Sequence, residues 1–208
     1  MAKRLYFFSV IFLLTLMAVP TEARELYFGI KGGLNRANVS DKNYDYWNAV
    51  SGFHGGGFVT WTFLDSVQIR TEFNFTTRGT QVSESSITGN VRADYFEIAL
   101  LASLVPRDNS RLRVLIGPSF AQFLGGTYEF TTEFEGFLSG SGALESDDLN
   151  PWDTGIVFGL DYIRSHVVFD LRYTWGLDNV MNQDKYPPED TPFSLKHRIL
   201  QFGVGVRI

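Results

Sequence analysis

Between Val67 and Thr76 the chain alternates apolar and polar side chains. Val67, Ile69, Phe73 and Phe75 fall on one parity, and Gln68, Arg70, Glu72 and Asn74 on the other. A helix would scatter these charges around its circumference, whereas a strand sends successive side chains to opposite faces and so sorts them. The same sorting recurs along the chain. Leu26, Phe28, Ile30 and Leu34 oppose Gly29, Lys31, Gly33 and Asn35; Phe53, Val59, Trp61 and Phe63 oppose His54, Gly56, Thr60 and Thr62, with Phe58 as the exception. Phe96, Ile98, Leu100 and Leu104 oppose Tyr95, Glu97, Ala99 and Ser103, and Leu112, Val114, Ile116 and Phe120 oppose Arg113, Gly117, Ser119 and Ala121. The last three segments, at 155–162, 167–175 and 200–208, follow the same rule. The pattern predicts eight strands.

Their connections differ in length. Short turns are expected at 64–66, 106–110 and 164–166, and long polar loops near 40–51, 78–91, 126–152 and 178–195. An up-and-down meander with unlike ends is the pattern of outer-membrane barrels, with short periplasmic turns and longer external loops. The strands are about 10 residues long, the span of a tilted transmembrane strand, and an even count permits closure without an exposed edge. Within the longest loop, Tyr128 and Phe130 alternate with Thr127, Glu129 and Thr131, so a hairpin is expected to rise beyond the membrane.

Alternation alone does not say which parity faces outward, and a soluble lipocalin-type barrel would turn the apolar residues in. Three observations favour lipid. The polar parity carries Gly29, Gly33, Gly56, Gly117, Gly159, Gly203 and Gly205, which suit a narrow lumen. Its charges nearly balance. Trp61, Tyr162, Tyr173 and Trp175 lie on the apolar parity near strand ends, where an interfacial girdle belongs. The expected fold is therefore an all-β, eight-stranded antiparallel transmembrane barrel.

The N-terminus agrees with export. Lys3 and Arg4 precede an apolar run from Leu5 to Val19, and Thr21-Glu22-Ala23 supplies small residues for cleavage after Ala23. The run is short of the ~20 residues of a spanning helix, so residues 1–23 read as a signal peptide and 24–208 as the barrel domain. The chain has no cysteine, which leaves burial and a closed ladder to stabilise it. A net charge of −5 argues against nucleic acid as a partner. Outer-membrane lipid is the expected surrounding, with an envelope protein met through the external loops.

On the polar parity, Lys31, Arg70, Arg113, Arg172 and Arg207 stand against Glu72, Glu97, Asp161 and Asp170. Eight strands leave room only for side chains, so these nine residues are expected to interlock as a lumen charge network. Counting from the turns places Asp161, Asp170, Arg113 and Arg207 at similar depth near the periplasmic end. A narrow pore is the alternative use of the same residues.

Several segments resemble the PorT-like outer-membrane β-barrel family. Phe28-Gly29-Ile30-Lys31-Gly32-Gly33-Leu34-Asn35 is similar to its opening strand, Asp94-Tyr95-Phe96-Glu97-Ile98 to a middle strand, and Ile116-Gly117-Pro118-Ser119 to the next. Asp170-Leu171-Arg172-Tyr173 with Gly176-Leu177 and Asn179 is the most specific match. The family often has Pro where Ala99 stands, and barrels usually end in an aromatic where this chain has Ile208. The resemblance implies an integral outer-membrane protein of a Gram-negative bacterium, and for some members a link to protein secretion.

Candidate chemistry is sparse. His166 falls in a periplasmic turn, whereas His54 and His197 are expected near the external rim, where Asp41, Ser51 and Ser194 are the acids and hydroxyls available to complete a hydrolase. No spacing singles out a nucleophile. Glu145, Asp147 and Asp148 lack the Gly turn and terminal Glu of a calcium loop. Gly55-Gly56-Gly57 opens no helix and so is no phosphate cradle. No pattern points to a cofactor, and a non-enzymatic protein is expected.

Overall fold

A computed structural model describes residues 25–40, 47–64, 66–84, 87–106, 111–132, 138–144, 148–182 and 194–208. The signal segment at 1–23 lies outside the described residues, as do Asp41, Glu145 and Asp147. The described strands are β1 (Glu25–Ser40), β2 (Trp47–Leu64), β3 (Val67–Glu84), β4 (Ile87–Leu104), β5 (Leu112–Thr132), β6 (Leu138–Leu144), β7 (Trp152–Arg164), β8 (Val167–Gly176) and β9 (Lys196–Arg207). All neighbours are antiparallel. The β1–β9 and β4–β5 pairings close a ring of eight, with β6 outside it.

The period-2 pattern becomes two surfaces. Phe28, Ile30, Leu34, Phe53, Phe75, Phe120, Phe202 and Val204 face outward and are exposed. Tyr162, Tyr173 and Trp175 stand among them as the sequence suggests, while Trp61 shares their parity but is covered where it stands between Leu26 and Ile69. Lys31, Asn35, Arg70, Glu72, Asn74, Glu97, Asp161, Asp170 and Arg172 face inward and are buried. Phe58, the exception to the pattern, also points inward. It packs with Ile163 and Val168 as an apolar floor, and a Cβ on Gly29 would collide with its ring.

The strands run further than the lipid-facing pattern suggests. Residues 78–91, expected to be a loop, are strand except at the tip: β3 and β4 stay in register from Val67↔Leu104 to Glu84↔Ile87. Outside hydrocarbon a strand needs no apolar face, and β-branched Thr80, Val82, Thr88 and Val91 favour extended backbone. The 40–51 loop likewise shrinks, since β1 ends at Ser40 and β2 begins at Trp47. The expected hairpin in 126–152 is present, but its return strand β6 is a ninth element. The half of β5 from Leu112 to Gln122 pairs with β7, and the half from Gly126 to Thr132 pairs with β6. A bulge at Leu124 marks the change, where the β4 register slips between Asp94 and Tyr95. The outer parts of β3, β4, β5 and β6 continue as one hydrogen-bonded ladder, joined on the β3 side by Trp47–Ala49 of β2.

At the opposite end, Arg164-Ser165-His166 joins β7 to β8 tightly, with Ser165 in the left-handed region at φ 57°. That conformation costs a non-glycine residue roughly 1–2 kcal/mol. Replacing Ser165 by Gly is expected to stabilise the barrel by up to about 1 kcal/mol, after the larger unfolded-state entropy of Gly is subtracted. Urea unfolding in detergent micelles, followed by tryptophan fluorescence, measures the change.

Candidate functional site

The inward side chains are stacked in layers. Above the apolar floor, Glu72 is the centre of an ionic layer. Lys31 Nζ lies 2.8 Å from Glu72 Oε2 and 3.0 Å from Asp170 Oδ2. Arg172 Nε lies 2.7 Å from the same Asp170 oxygen, and its Nη1 meets Glu72. Arg70 Nη1 bridges Asp161 Oδ2 and Glu72 Oε1, at 2.5 Å and 3.6 Å, and also lies over the Phe58 ring at 4.6 Å. Three cations meet three carboxylates, all on different strands or on alternate positions of one. The layer is neutral, which is the condition for keeping ions out of water without losing several kcal/mol on each.

His54 lies deep in the lumen beside this layer. Its ring fills the space left by two glycines: a Cβ on Gly33 would meet His54 Cε1, and a Cβ on Gly203 would meet both His54 Nε2 and Asp170 Oδ1. The inward glycines are therefore the room in which the charged side chains sit.

A second polar layer lies nearer the outer mouth. Arg78 sends one guanidinium nitrogen to Asp153 and another to Glu97. His197 Nδ1 lies 2.9 Å from the same Asp153 carboxylate. Tyr95 closes the group, with the Arg78 guanidinium 4.8 Å over its ring and the His197 ring edge-on at 5.7 Å. Above it, Tyr95, Ala93, Ala121 and Phe123 pack together, and Val39, Val180 and Leu195 form a further apolar cluster.

Of the nine charges read from the sequence, Lys31, Arg70, Glu72, Asp161, Asp170 and Arg172 meet in one layer. Glu97 belongs to the other. Arg113 stands directly beside Asp161 on the neighbouring strand, whereas Arg207 joins the inner six through no ion pair among the described residues. The Arg113 Nη1 donates to the Leu112 carbonyl at 3.1 Å, and the Arg207 guanidinium lies 4.9 Å from the Tyr27 ring centroid. The equal depth expected of Asp161, Asp170, Arg113 and Arg207 does not hold for Arg207. Register runs Arg113↔Asp161, Asp161↔Asp170 and Asp170↔Gly203, so Arg207 lies further along β9 toward the turns. Counting from turns ignores the stagger that closure imposes on the strands.

Arg78 and Asp153 were missed because Arg78 fell in an expected loop and Asp153 between the loop ending at 152 and the strand segment beginning at 155. Their signal was present: Arg78 continues the inward parity of Arg70, Glu72, Asn74 and Thr76, and Asp153 that of Gly155 and Val157.

The rim-hydrolase arrangement does not assemble among the described residues. His54 is not at the rim, because β2 begins well above it. Ser51 is exposed on the outer face, opposite Arg36, and does not share the lumen with His54. His197 is bonded to Asp153, but Arg78 shares that carboxylate, and Ser194 is exposed. His166 sits exposed in the β7–β8 turn. No group of three His, Asp or Glu residues suited to a metal ion occurs among the described residues.

A family model described as outer membrane protein beta-barrel domain matches residues 17–182. Among solved structures, Neisserial surface protein A is similar, with a TM-score of 0.51 at 13% identity, covering 86% of this chain and 96% of that one. The attachment invasion locus protein Ail of Yersinia pestis is 18% identical, with a TM-score of 0.48 and coverage of 88% and 99%. OprG of Pseudomonas aeruginosa is 13% identical, with a TM-score of 0.44 and coverage of 88% and 95%. At such identities the likeness concerns the fold, not a site. No curated protein matches the chain.

Removing one partner of a buried ionic layer leaves its counterpart uncompensated, at about 3–5 kcal/mol. Glu72→Gln is expected to destabilise the barrel by that amount, whereas Arg207→Gln, at the end of the barrel nearest the short turns, should cost less than about 1 kcal/mol. The temperature at which the heat-modifiable gel shift is lost distinguishes the two.

Proposed function

The chain belongs to the outer membrane protein beta-barrel domain family, and from that premise we propose that it is a non-enzymatic anchor which holds an external sheet for interaction with another envelope protein. The carrying observation is the contrast between the two ends of β5. Its lower half is locked into a barrel filled by two polar layers and apolar clusters, while its upper half carries β6, whose far edge has no strand partner among the described residues. An unpaired edge offers backbone N–H and C=O groups to an added strand. The layers also favour a closed lumen over the narrow-pore reading, since no side chain of the ionic layer can leave without stranding a counter-charge.

The resemblance to PorT-like barrels refines this reading to an accessory role in protein secretion, with a secretion component as the partner. An exported barrel also needs a leader, and we assign residues 1–23 to a signal peptide removed before assembly.

Two measurements test the reading. In planar bilayers the purified protein should give no stable conductance steps, and regular open-channel steps would favour the pore. Deleting residues 133–144 should abolish cross-linking to the envelope partner in intact cells while leaving the heat-modifiable gel shift unchanged; undiminished cross-linking would remove β6 from the interaction. For the leader, mass spectrometry of the outer-membrane form should find Arg24 at the N-terminus, and a retained Met1 would refute the cleavage.

A further inference from the structure

Outside the lumen, the lipid-facing wall carries an uneven distribution of charge. On β1 the outward parity runs Phe28, Ile30, Leu34 and then Arg36; on β9, read toward the outer end, it runs Val204, Phe202, Leu200 and then Arg198 and Lys196. The cations therefore start where the apolar rows stop. Register sets Arg36 opposite Leu200, so Arg36 and Arg198 are diagonal neighbours on one face, a spacing of roughly 7–8 Å that long side chains bridge.

Like charges so close are unfavourable without an anion between them. None of the ion pairs formed among the described residues involves Arg36, Lys196 or Arg198. Asp178, a carboxylate near the outer end of β8, accepts instead from Thr154 N and Oγ1, at 2.9 and 2.7 Å. Arg198 is also held in place. Its guanidinium lies 4.8 Å from the Trp175 ring centroid, and Nη1 donates to the carbonyls of Gly176 at 3.0 Å and His197 at 2.8 Å. A guanidinium fixed by stacking and backbone acceptors loses little further freedom when an oxyanion binds its remaining N–H groups. Across the barrel at the outer end of β3 and β4, the outward groups are Thr77, Asp94 and Arg92; Thr77 Oγ1 donates to Asp94 at 2.6 Å, and the one cation there, Arg92, shares its face with that carboxylate two residues away. The β1–β9 side thus gathers three outward cations with no carboxylate on the same face of those two strand ends, against one cation beside a carboxylate on β4.

Because this face meets lipid, its occupant is a lipid, and at this height the headgroup is that of the outer leaflet. We propose that Arg36, Arg198 and Lys196 seat a phosphate of lipid A, the phosphorylated glycolipid of that leaflet, with acyl chains lying on Leu34, Leu200, Phe202 and Trp175. The phosphate bridges Arg36 and Arg198, and Lys196 adds a point charge from the outer side.

The test uses protein extracted from outer membranes into neutral detergent, delipidated, and titrated with bisphosphorylated lipid A, dephosphorylated lipid A or phosphatidylglycerol, with bound lipid read by native mass spectrometry. The proposal expects bisphosphorylated lipid A to bind best, and an Arg36→Gln/Arg198→Gln variant to bind it at least about tenfold more weakly, the loss of one charge-assisted hydrogen bond at its weak end. Equal binding of dephosphorylated lipid A, equal binding of phosphatidylglycerol, or an unchanged affinity in the variant would each overturn it. If the double variant does not fold, Arg36→Gln alone, at an exposed side chain, serves the same comparison and is judged by the same outcomes.

Discussion

A backbone that crosses hydrocarbon finds no water to bond, so every amide in the spanning region must be paired within the protein. In this chain that requirement is met at one seam, where β1 and β9, the first and last strands, run antiparallel from Gly29↔Arg207 to Ser40↔Lys196. Closure turns a two-faced sheet into an outside and an inside, and eight strands make the inside narrow. Side chains of opposite charge are then forced within reach of one another, and the neutrality of the inner layer follows from that confinement. Lys31 shows the dependence directly: it sits on β1 and pairs across the seam with Asp170 of β8 and across the lumen with Glu72 of β3.

Parity made most of this legible in the sequence. Val67–Thr76 alone separates the outward Phe75 from the inward Arg70 and Glu72, and the structure keeps every one of those assignments. Parity also located the six charges that meet around Glu72, because a position that faces the lumen of a narrow barrel has few neighbours to choose from. What parity does not hold is position along the barrel axis. The stagger of neighbouring strands depends on pairing register, which no single strand encodes, and so His54 was expected at the rim and Arg207 among the charges.

Strand ends were the other loss. The apolar face stops where lipid stops, but hydrogen bonding between β3 and β4 continues to Glu84↔Ile87 because water-exposed ladders need no greasy side. Reading the end of the apolar rows as the end of the strand cut off Arg78 and Asp153 and with them the outer polar layer. Phe58 is the converse case. Its side chain breaks the polar parity, yet it belongs inside, where it covers Gly29 and receives the guanidinium of Arg70 over its ring. An aromatic on the polar side of a barrel strand therefore reads as floor or plug, not as an error of register.

The bulge at Leu124 has a mechanical side. Because β5 exchanges β7 for β6 at that point while keeping β4 throughout, the external hairpin and the embedded wall share one continuous strand. A pull on β6 along its axis is transmitted to β5 and reaches the membrane as shear across the β4 ladder. Hydrogen bonds loaded in shear bear tension together instead of unzipping from one end. The hairpin is thus coupled to its anchor as a tether is to a post, and force applied outside the cell passes into the bilayer-embedded wall without first unravelling a loop.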